Sequence, residues 1–486
     1  MSSYFTDLAQ QYIDGEWRPG TGSWDIIDFN PYDGEKLASI TIAAVDEVDQ
    51  AYQAAARAQK QWAAVNPYAR RVVFEKALRL VEEREGEITE AIIAELGGTH
   101  LKAGFELHLA KEFLRESVHL ALRPEGKILP SPVDGKENRL YREPVGVVGV
   151  ISPFNFPFLL ALKSVAPALA LGNGVVLKPH QNTPIVGGTL VAKIFEDAGL
   201  PGGLLNVVVT DIAEIGDAFI EHPIPKVISF TGSDKVGRHV ATVCASLFKR
   251  SVLELGGNSA IVVLDDADVD YAVDAAVFSR YVHQGQVCMA ANRVLVDRSI
   301  ADTFTEKFVA KVKSLRSGDP RDPGTVIGPV INSQQAESIS AIVEQAIAEG
   351  ATALVHGTTT DNLVEPSVLT DVPTDSALLR QEVFGPVAFL IPFDGEEEAV
   401  RLVNDTPYGL SGAVHTGDVE RGVAFAKKID TGMFHVNDGT VHDEPLVPFG
   451  GEKSSGIGRL NGETTLEAFT TLKWISVQHG RSGFPF

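Results

Sequence analysis

The chain has 486 residues, 44% hydrophobic and 22% charged, an ordinary globular composition that excludes a disordered or fibrous protein and suffices for two or three core-bearing units. Its 64 acidic and 42 basic residues give a formal charge of -22, which disfavours nonspecific binding to nucleic acid or anionic membrane, so that any phosphate must be held by a local site. The opening Met1-Ser2-Ser3-Tyr4-Phe5-Thr6-Asp7 lacks the basic and apolar regions of a signal peptide, and Cys244 and Cys288 form no disulfide framework, so a reducing cytoplasm is the default compartment.

In chain order, helical patterns are expected over 48–62 and 69–96 and should pack on the first domain. Residues 129–136 separate two extended patterns, with Asp134-Gly135 a hairpin turn signal. The apolar stretch 145–162 is broken by Pro153, Asn155 and Pro157 and is no simple membrane span. From 145 onward β-rich runs alternate with helical patterns: strands at 145–151, 175–178, 204–208, 227–230 and 252–255, with helices at 158–171 and 185–198 and from near 212 and 235. A second series follows, with strands at 260–264, 293–296, 387–392, 411–416 and 433–436 and helices at 269–282 and 301–315. This beat is α/β: parallel sheets that bind ligands beyond the carboxyl ends of their strands, with an interdomain crevice near Glu254. The run 472–478 is a further strand candidate without an obvious partner, and no low-complexity tract or repeat is visible.

Three short motifs carry chemistry: Pro153-Phe154-Asn155-Phe156-Pro157, Leu253-Glu254-Leu255-Gly256-Gly257 and Gly285-Gln286-Val287-Cys288. A thiol can attack a carbonyl, an amide can donate to the resulting oxyanion, and a carboxylate can activate water. Residue types alone leave other roles open: Cys288 as a small core residue, Asn155 as a turn residue after Pro153, and Glu254 as half of a structural ion pair. Cys244 sits in a helical apolar setting and reads as core, His283 as structural. No His/Cys/Asp/Glu cluster has metal-ligand spacing, so no metal is expected.

Two segments suit a nucleotide cofactor. Phe230-Thr231-Gly232-Ser233-Asp234-Lys235-Val236-Gly237 runs from a strand through a glycine-bearing turn into a helix, whose first N–H groups can receive pyrophosphate oxygens. Lys178 places a cation at a strand's carboxyl end, although a solvated loop lysine reads the same way. The fingerprint-like Gly456-Ile457-Gly458-Arg459-Leu460-Asn461-Gly462 follows no apolar strand and is set aside.

Together these motifs resemble the aldehyde dehydrogenase superfamily, and the likeness runs from Tyr12-Ile13-Asp14-Gly15-Glu16-Trp17 to Pro448-Phe449-Gly450-Gly451-Glu452-Lys453-Ser454-Ser455-Gly456. The resemblance implies an α/β aldehyde dehydrogenase-like fold, with two doubly wound parallel-sheet domains and a small oligomerisation sheet. Residues 1–121 and 146–256 would bind the dinucleotide, 257–467 would carry the catalytic unit, and 122–145 with 468–486 would build a homodimer or homotetramer; an edge hairpin and tail strand of a monomer is the alternative. It implies Cys288 as nucleophile, Glu254 as base, Asn155 as oxyanion donor and Lys178 as a site residue holding the adenosine ribose.

It further implies cofactor contacts from Ile151, Ser152, Pro153, Phe154, Gln181, Gly232, Ser233, Gly237, Leu255, Glu382 and Phe384. Glu382 would hold the nicotinamide ribose, although a lone glutamate is more often a surface carboxylate. Many members carry a glutamate where this chain has Gln181; a neutral amide does not repel a 2′-phosphate, so NAD use with NADP tolerance is expected. The segments 151–158, 178–184 and 283–289 look like the bacterial benzaldehyde and vanillin dehydrogenase branch. Phe156, Leu160, Val287 and Met289 are the expected ring pocket, with Asn437 or His442 as partners for a ring hydroxyl, although core packing alone explains the apolar four. A small aldehyde is thus the expected substrate; a broad or aliphatic (semi)aldehyde dehydrogenase, a coenzyme A-acylating enzyme and a non-enzymatic protein keeping the fold are the rivals.

Overall fold

A computed structural model describes residues 4–486; Met1, Ser2 and Ser3, with which the signal-peptide reading begins, lie outside the described residues. Two large sheets dominate. In the first, five parallel strands lie in the order Leu205–Val207, Gly174–Lys178, Val147–Ile151, Val227–Thr231 and Arg250–Glu254. Antiparallel edges are added by Gln11–Ile13 with Glu16–Arg18 on one side and by Gly456–Ile457 on the other. The inner strands are almost wholly buried, because helices cover both faces, which is why they read as apolar runs without alternation.

Register is what builds a site here. Ile151 pairs with Lys178 and Phe230, and Thr231 pairs with Glu254, so the segments that follow these strands leave one common carboxyl edge. The second sheet runs Thr352–Val355, Ser367–Thr370, Val387–Phe393, Ala291–Asp297, Ser259–Val263, Gly412–His415 and His435–Val436, parallel except for its first pair. The strand left without a partner, Thr470–Gln478, pairs antiparallel with Lys136–Pro144 along its whole length, and Lys127–Leu129 completes this third sheet.

The expected helix over 69–96 is two helices, Pro67–Glu83 and Glu85–Leu96, which meet at Arg84. Asn66 caps the first by accepting from the Tyr68 N–H, with Pro67 at its first position. The N-terminal helices pack on the first sheet's layer: the Trp62 indole donates to the Leu169 carbonyl at 2.7 Å and the Tyr52 hydroxyl to that of Phe219 at 2.9 Å. The helix over 185–198 opens as a wide π-type turn, Ile185–Thr189, whose first two N–H groups donate to the buried Glu95 carboxyl.

Among the helices that the sequence pattern did not suggest are His100–Leu120 and Ser333–Ala348. His100–Leu120 buries Lys102 and Glu106 as an ion pair, so its inner face carries charge and its apolar stripe is blurred. Among the described residues no helix is long and apolar enough to cross a membrane.

Candidate active site

The chain reaches Cys288 through an unusual turn. After the helix Val269–Tyr281, three successive residues, His283, Gln284 and Gly285, have φ of 52°, 54° and 71°. Glycine is required at the last: a Cβ there would stand 2.1 Å from the Arg280 guanidinium and 2.3 Å from the Gly385 carbonyl oxygen. Arg280, fully buried, donates to the carbonyls of Gly285, Val383 and Gly385 and to the Asn292 amide oxygen. It thereby ties the loop before Cys288 to the segment that carries Glu382. Gln284 donates to the Pro329 carbonyl at 2.8 Å, and the Gln286 side chain accepts from the Ile331 N–H at 3.0 Å.

Asn155 stands against this loop. Its amide donates to the Gln286 carbonyl at 2.9 Å, which fixes the side chain and leaves a second N–H for the cavity. Glu254 ends its strand with both carboxylate oxygens buried and without a hydrogen-bond partner among the described residues. Burial pushes its carboxyl up to about 8; Lys163 opposes the shift, and Asp443 adds to it. Burial, reinforced by Glu382 and Glu254, pushes the half-buried Cys288 thiol up to about 12. Asn155, Glu254 and Cys288, together with Leu160 and Thr231, form the common wall of two cavities.

The first is a cleft of about 560 Å³ at the carboxyl edge of the first sheet. Ile151, Ser152, Pro153, Phe154, Lys178, Gln181, Gly232, Ser233, Leu255, Glu382 and Phe384 all line it. Gly237 instead lies inside the helix Asp234–Ser246, where a Cβ would be 2.4 Å from Leu255, so it acts by letting the helix sit close to that residue. Ser233 caps this helix through the Val236 N–H. The rings of Phe154 and Phe384 meet edge to face at 5.8 Å, and Glu382 accepts from the Gly257 N–H at 3.0 Å.

Burial lowers the Lys178 ammonium and raises the Glu382 carboxyl to about 7, so both suit polar ligand atoms that would restore lost hydration. With a helix start, a buried cation and a carboxylate along one wall, the residues fit a dinucleotide. Sequence reasoning missed Asp211 and His180 on the same wall, His180 being held down at about 4 by burial and by Lys178. The set-aside glycine-rich segment starts in a two-residue antiparallel edge strand and ends in the helix Gly462–Phe469, outside this cleft.

The second cavity is narrow and lined mainly by apolar side chains, and it adjoins an outer mouth through Phe105, Leu109 and Asp443. Phe156, Leu160, Val287 and Met289 line it, as expected, joined by Phe105 and Leu109 from the unforeseen helix and by Phe449. The helix Pro157–Ala170 presents Leu160, Lys163 and Ser164 on one face. That helix has no side-chain cap of its own; Glu106 supplies one from outside, accepting from the N–H groups of Phe158 and Leu159 at 2.9 and 3.1 Å.

Two expected pocket residues lie elsewhere. Asn437 has φ of 56°, and its side-chain oxygen accepts from the Thr416 N–H at 2.9 Å, so it shapes a turn. His442 lines the outer mouth with its Nε2 2.8 Å from Glu444. The charged groups of the narrow cavity besides Glu254 are Lys163 and Asp443, which sequence reasoning did not find. The available signal was a lysine inside an otherwise apolar helical run. Cys244 is buried core, and His283 is packed against the Phe156 ring at 5.4 Å.

The fold and this junction of thiol, amide and carboxylate define a dehydrogenase of the kind that oxidises aldehydes. The aldehyde dehydrogenase family matches residues 17–475, and the chain belongs to that family. It is 59% identical over 482 residues to benzaldehyde dehydrogenase YfmT of Bacillus subtilis (strain 168), with 99% of each chain covered. It is 46% identical over 474 residues to a vanillin dehydrogenase of Corynebacterium glutamicum, covering 97% of this chain and 98% of that one. The crystal structure of a NAD-dependent benzaldehyde dehydrogenase from Corynebacterium glutamicum has a TM-score of 0.89 at 44% identity and covers 97% of this chain and 98% of that one.

Proposed function

We propose that the enzyme oxidises an aromatic aldehyde to the carboxylic acid, with NAD as cofactor and Cys288 as nucleophile. The observation that carries this reading is the wall shared by the cofactor cleft and the ring-lined cavity, where Asn155, Glu254 and Cys288 meet. Glu254 takes the thiol proton, and Sγ adds to the aldehyde carbon. The free amide N–H of Asn155 donates to the oxyanion that forms; loss of one such donor costs roughly 3 kcal/mol in the transition state of comparable enzymes. Bound in the cleft, NAD supplies the acceptor for the hydride that leaves this carbon. Cys288 then holds a thioester; Glu254, which has no hydrogen-bond partner among the described residues, releases the thiol's proton to solvent and, a carboxylate again, takes a proton from the water that cleaves the thioester.

For the cofactor, Lys178 and Gln181 hold the adenosine ribose, the helix start after Ser233 takes the pyrophosphate, and Glu382 takes the second ribose. Gln181 tolerates a 2′-phosphate and the nearby Asp211 opposes it, so NADP is accepted less well than NAD. Residues 1–121 and 146–256 form the dinucleotide unit and 257–467 the catalytic unit. The third sheet joins copies of the chain into a dimer or tetramer, supported by its exposed Ile128, Leu472, Trp474 and Ile475. The cytoplasm is its compartment. The deciding measurement is initial-rate NADH formation with benzaldehyde, vanillin and hexanal, repeated with NADP. Preference for the two aromatic aldehydes is expected; preference for hexanal would overturn the aromatic reading and leave the family mechanism standing.

A further inference from the structure

The narrow cavity is lined mainly by rings and aliphatic side chains, yet an ion pair is set into its wall. Lys163 is 2% exposed and Asp443 6%, and Nζ lies 2.6 Å from Oδ2. Each group is held. Asp443 Oδ1 accepts from the Asn461 amide at 2.8 Å, and Nζ sits 3.4 Å from the centroid of the Phe449 ring. One ammonium proton faces Asp443 and another the π-face of Phe449; the Phe113 ring lies farther off, 5.2 Å from Nζ, so the third proton has no hydrogen-bond partner among the described residues. Asp443 Oδ2 keeps a second lone pair beside it.

The pair therefore offers one donor and one acceptor, side by side, with no net charge. Asp443 also lines the outer mouth, whereas Cys288, Asn155 and Glu254 line the cofactor cleft. Asp443 thus reaches toward the mouth side of the cavity and Cys288 toward the cofactor side, while both members of the pair stay near enough to Glu254 and Cys288 to act on their protonation. Buried ion pairs are often no more stabilising than apolar residues of the same volume, so this one calls for a role beyond stability.

We infer that Lys163 and Asp443 read a ring hydroxyl on the side of the substrate remote from the aldehyde group. A phenolic hydroxyl donates to Asp443 while accepting from Lys163, and so answers both members of the pair. A methyl group answers neither and leaves both without the water it displaces. A carboxylate attracts Lys163 but is repelled by Asp443. The inference deepens the aromatic-aldehyde reading and rests on it.

The test compares kcat/KM for 4-hydroxybenzaldehyde and 4-methylbenzaldehyde, whose substituents are nearly equal in size, in the wild-type enzyme and in the double variant Lys163→Met/Asp443→Leu. Removing both charges together leaves neither uncompensated, and the ratio of two substrates on one enzyme cancels any change in Glu254. The hydroxy-to-methyl ratio should fall about tenfold or more in the double variant, chiefly through KM for the hydroxy substrate. Asp443→Asn keeps a polar acceptor and should show a smaller fall, about threefold, which a purely structural role would not grade in this way. An unchanged ratio in the folded double variant overturns the inference; if that variant does not fold, an unchanged ratio in Asp443→Asn does the same. Turnover of 4-methylbenzaldehyde by the wild type reports separately on the aromatic reading, and its absence together with turnover of hexanal overturns both.

Discussion

The two cavities that meet at Cys288 are built in opposite ways. The cofactor cleft is an edge: four parallel strands end in register, and the residues at and just past their ends supply a lysine, a helix start and a carboxylate within one groove. The narrow cavity has no such edge and is assembled from the sides of two helices, His100–Leu120 and Pro157–Ala170, with loop residues distant in sequence. An edge imposes positions on whatever sequence occupies it, whereas a helix-sided cavity leaves shape and polarity to individual side chains. General dinucleotide chemistry can therefore be held by the first while substrate choice is set in the second.

Removing the junction separates the two most sharply. Cys288→Ala should reduce aldehyde oxidation by about 10⁴-fold or more while NAD still binds, as read by quenching of protein fluorescence. Loss of NAD binding as well would mean that the cleft depends on the loop for its shape. Glu254→Gln comes next: a burst of about one NADH per active site, itself slower than in the wild type because Glu254 also takes the thiol proton, followed by turnover slowed by about 10²–10³-fold. Burial raises the Glu254 carboxyl from 4.5 to about 8, so the base form accumulates as pH rises through that value. Thioester hydrolysis in the wild type should accordingly climb about tenfold per pH unit below 8 and level above it, and in the Gln variant it should lose that dependence. The same shift means that the native state binds a proton the unfolded chain has released between pH 4.5 and 8, so stability falls with rising pH across that window.

Arg280 gives the next smaller effect, because it joins both sides. Arg280→Met leaves the carbonyls of Gly285, Val383 and Gly385 without their common donor and should lower stability by about 2–4 kcal/mol, read from the denaturant midpoint. Turnover and NAD affinity should fall together, since the Cys288 loop and the Glu382 segment lose the same tie. A fall in stability with both functions intact would show that the loop and the Glu382 segment hold their places without it.

The same contrast explains what could be read from the sequence. Ile151, Lys178, Thr231 and Glu254 were legible because each follows an apolar run at a point where parallel strands end, and the turn chemistry after each is local. The pairing of Thr470–Gln478 with Lys136–Pro144 was not, because strands joined across more than 300 residues carry no local sign of one another. The division at Arg84 was hidden because the apolar period of the first helix runs almost in phase into the second. Phe105 and Asp443 were illegible for a different reason: nothing in their own neighbourhoods says that they share a cavity. Asn437 was misplaced since a polar residue near the end of the chain can serve a backbone turn as well as a ligand, and its positive φ decides for the turn.

The smallest expected effect tests whether the edge, too, carries choice. Asp211 lines the cleft on the wall of Lys178 and Gln181, and its charge acts on both Lys178 and His180. A 2′-phosphate on the adenosine ribose would bring a second negative group to this wall, which a neutral Gln181 does not oppose but Asp211 does. Asp211 also caps a short helix by accepting from the Ala213 N–H at 2.7 Å, a task that asparagine performs equally well. Asp211→Asn should therefore keep the fold and raise kcat/KM for NADP relative to NAD by about three- to tenfold, mostly through KM. An unchanged ratio would mean that Gln181 alone sets the tolerance for the phosphate, and that edge geometry leaves no more room for choice than the residue directly beneath the ribose.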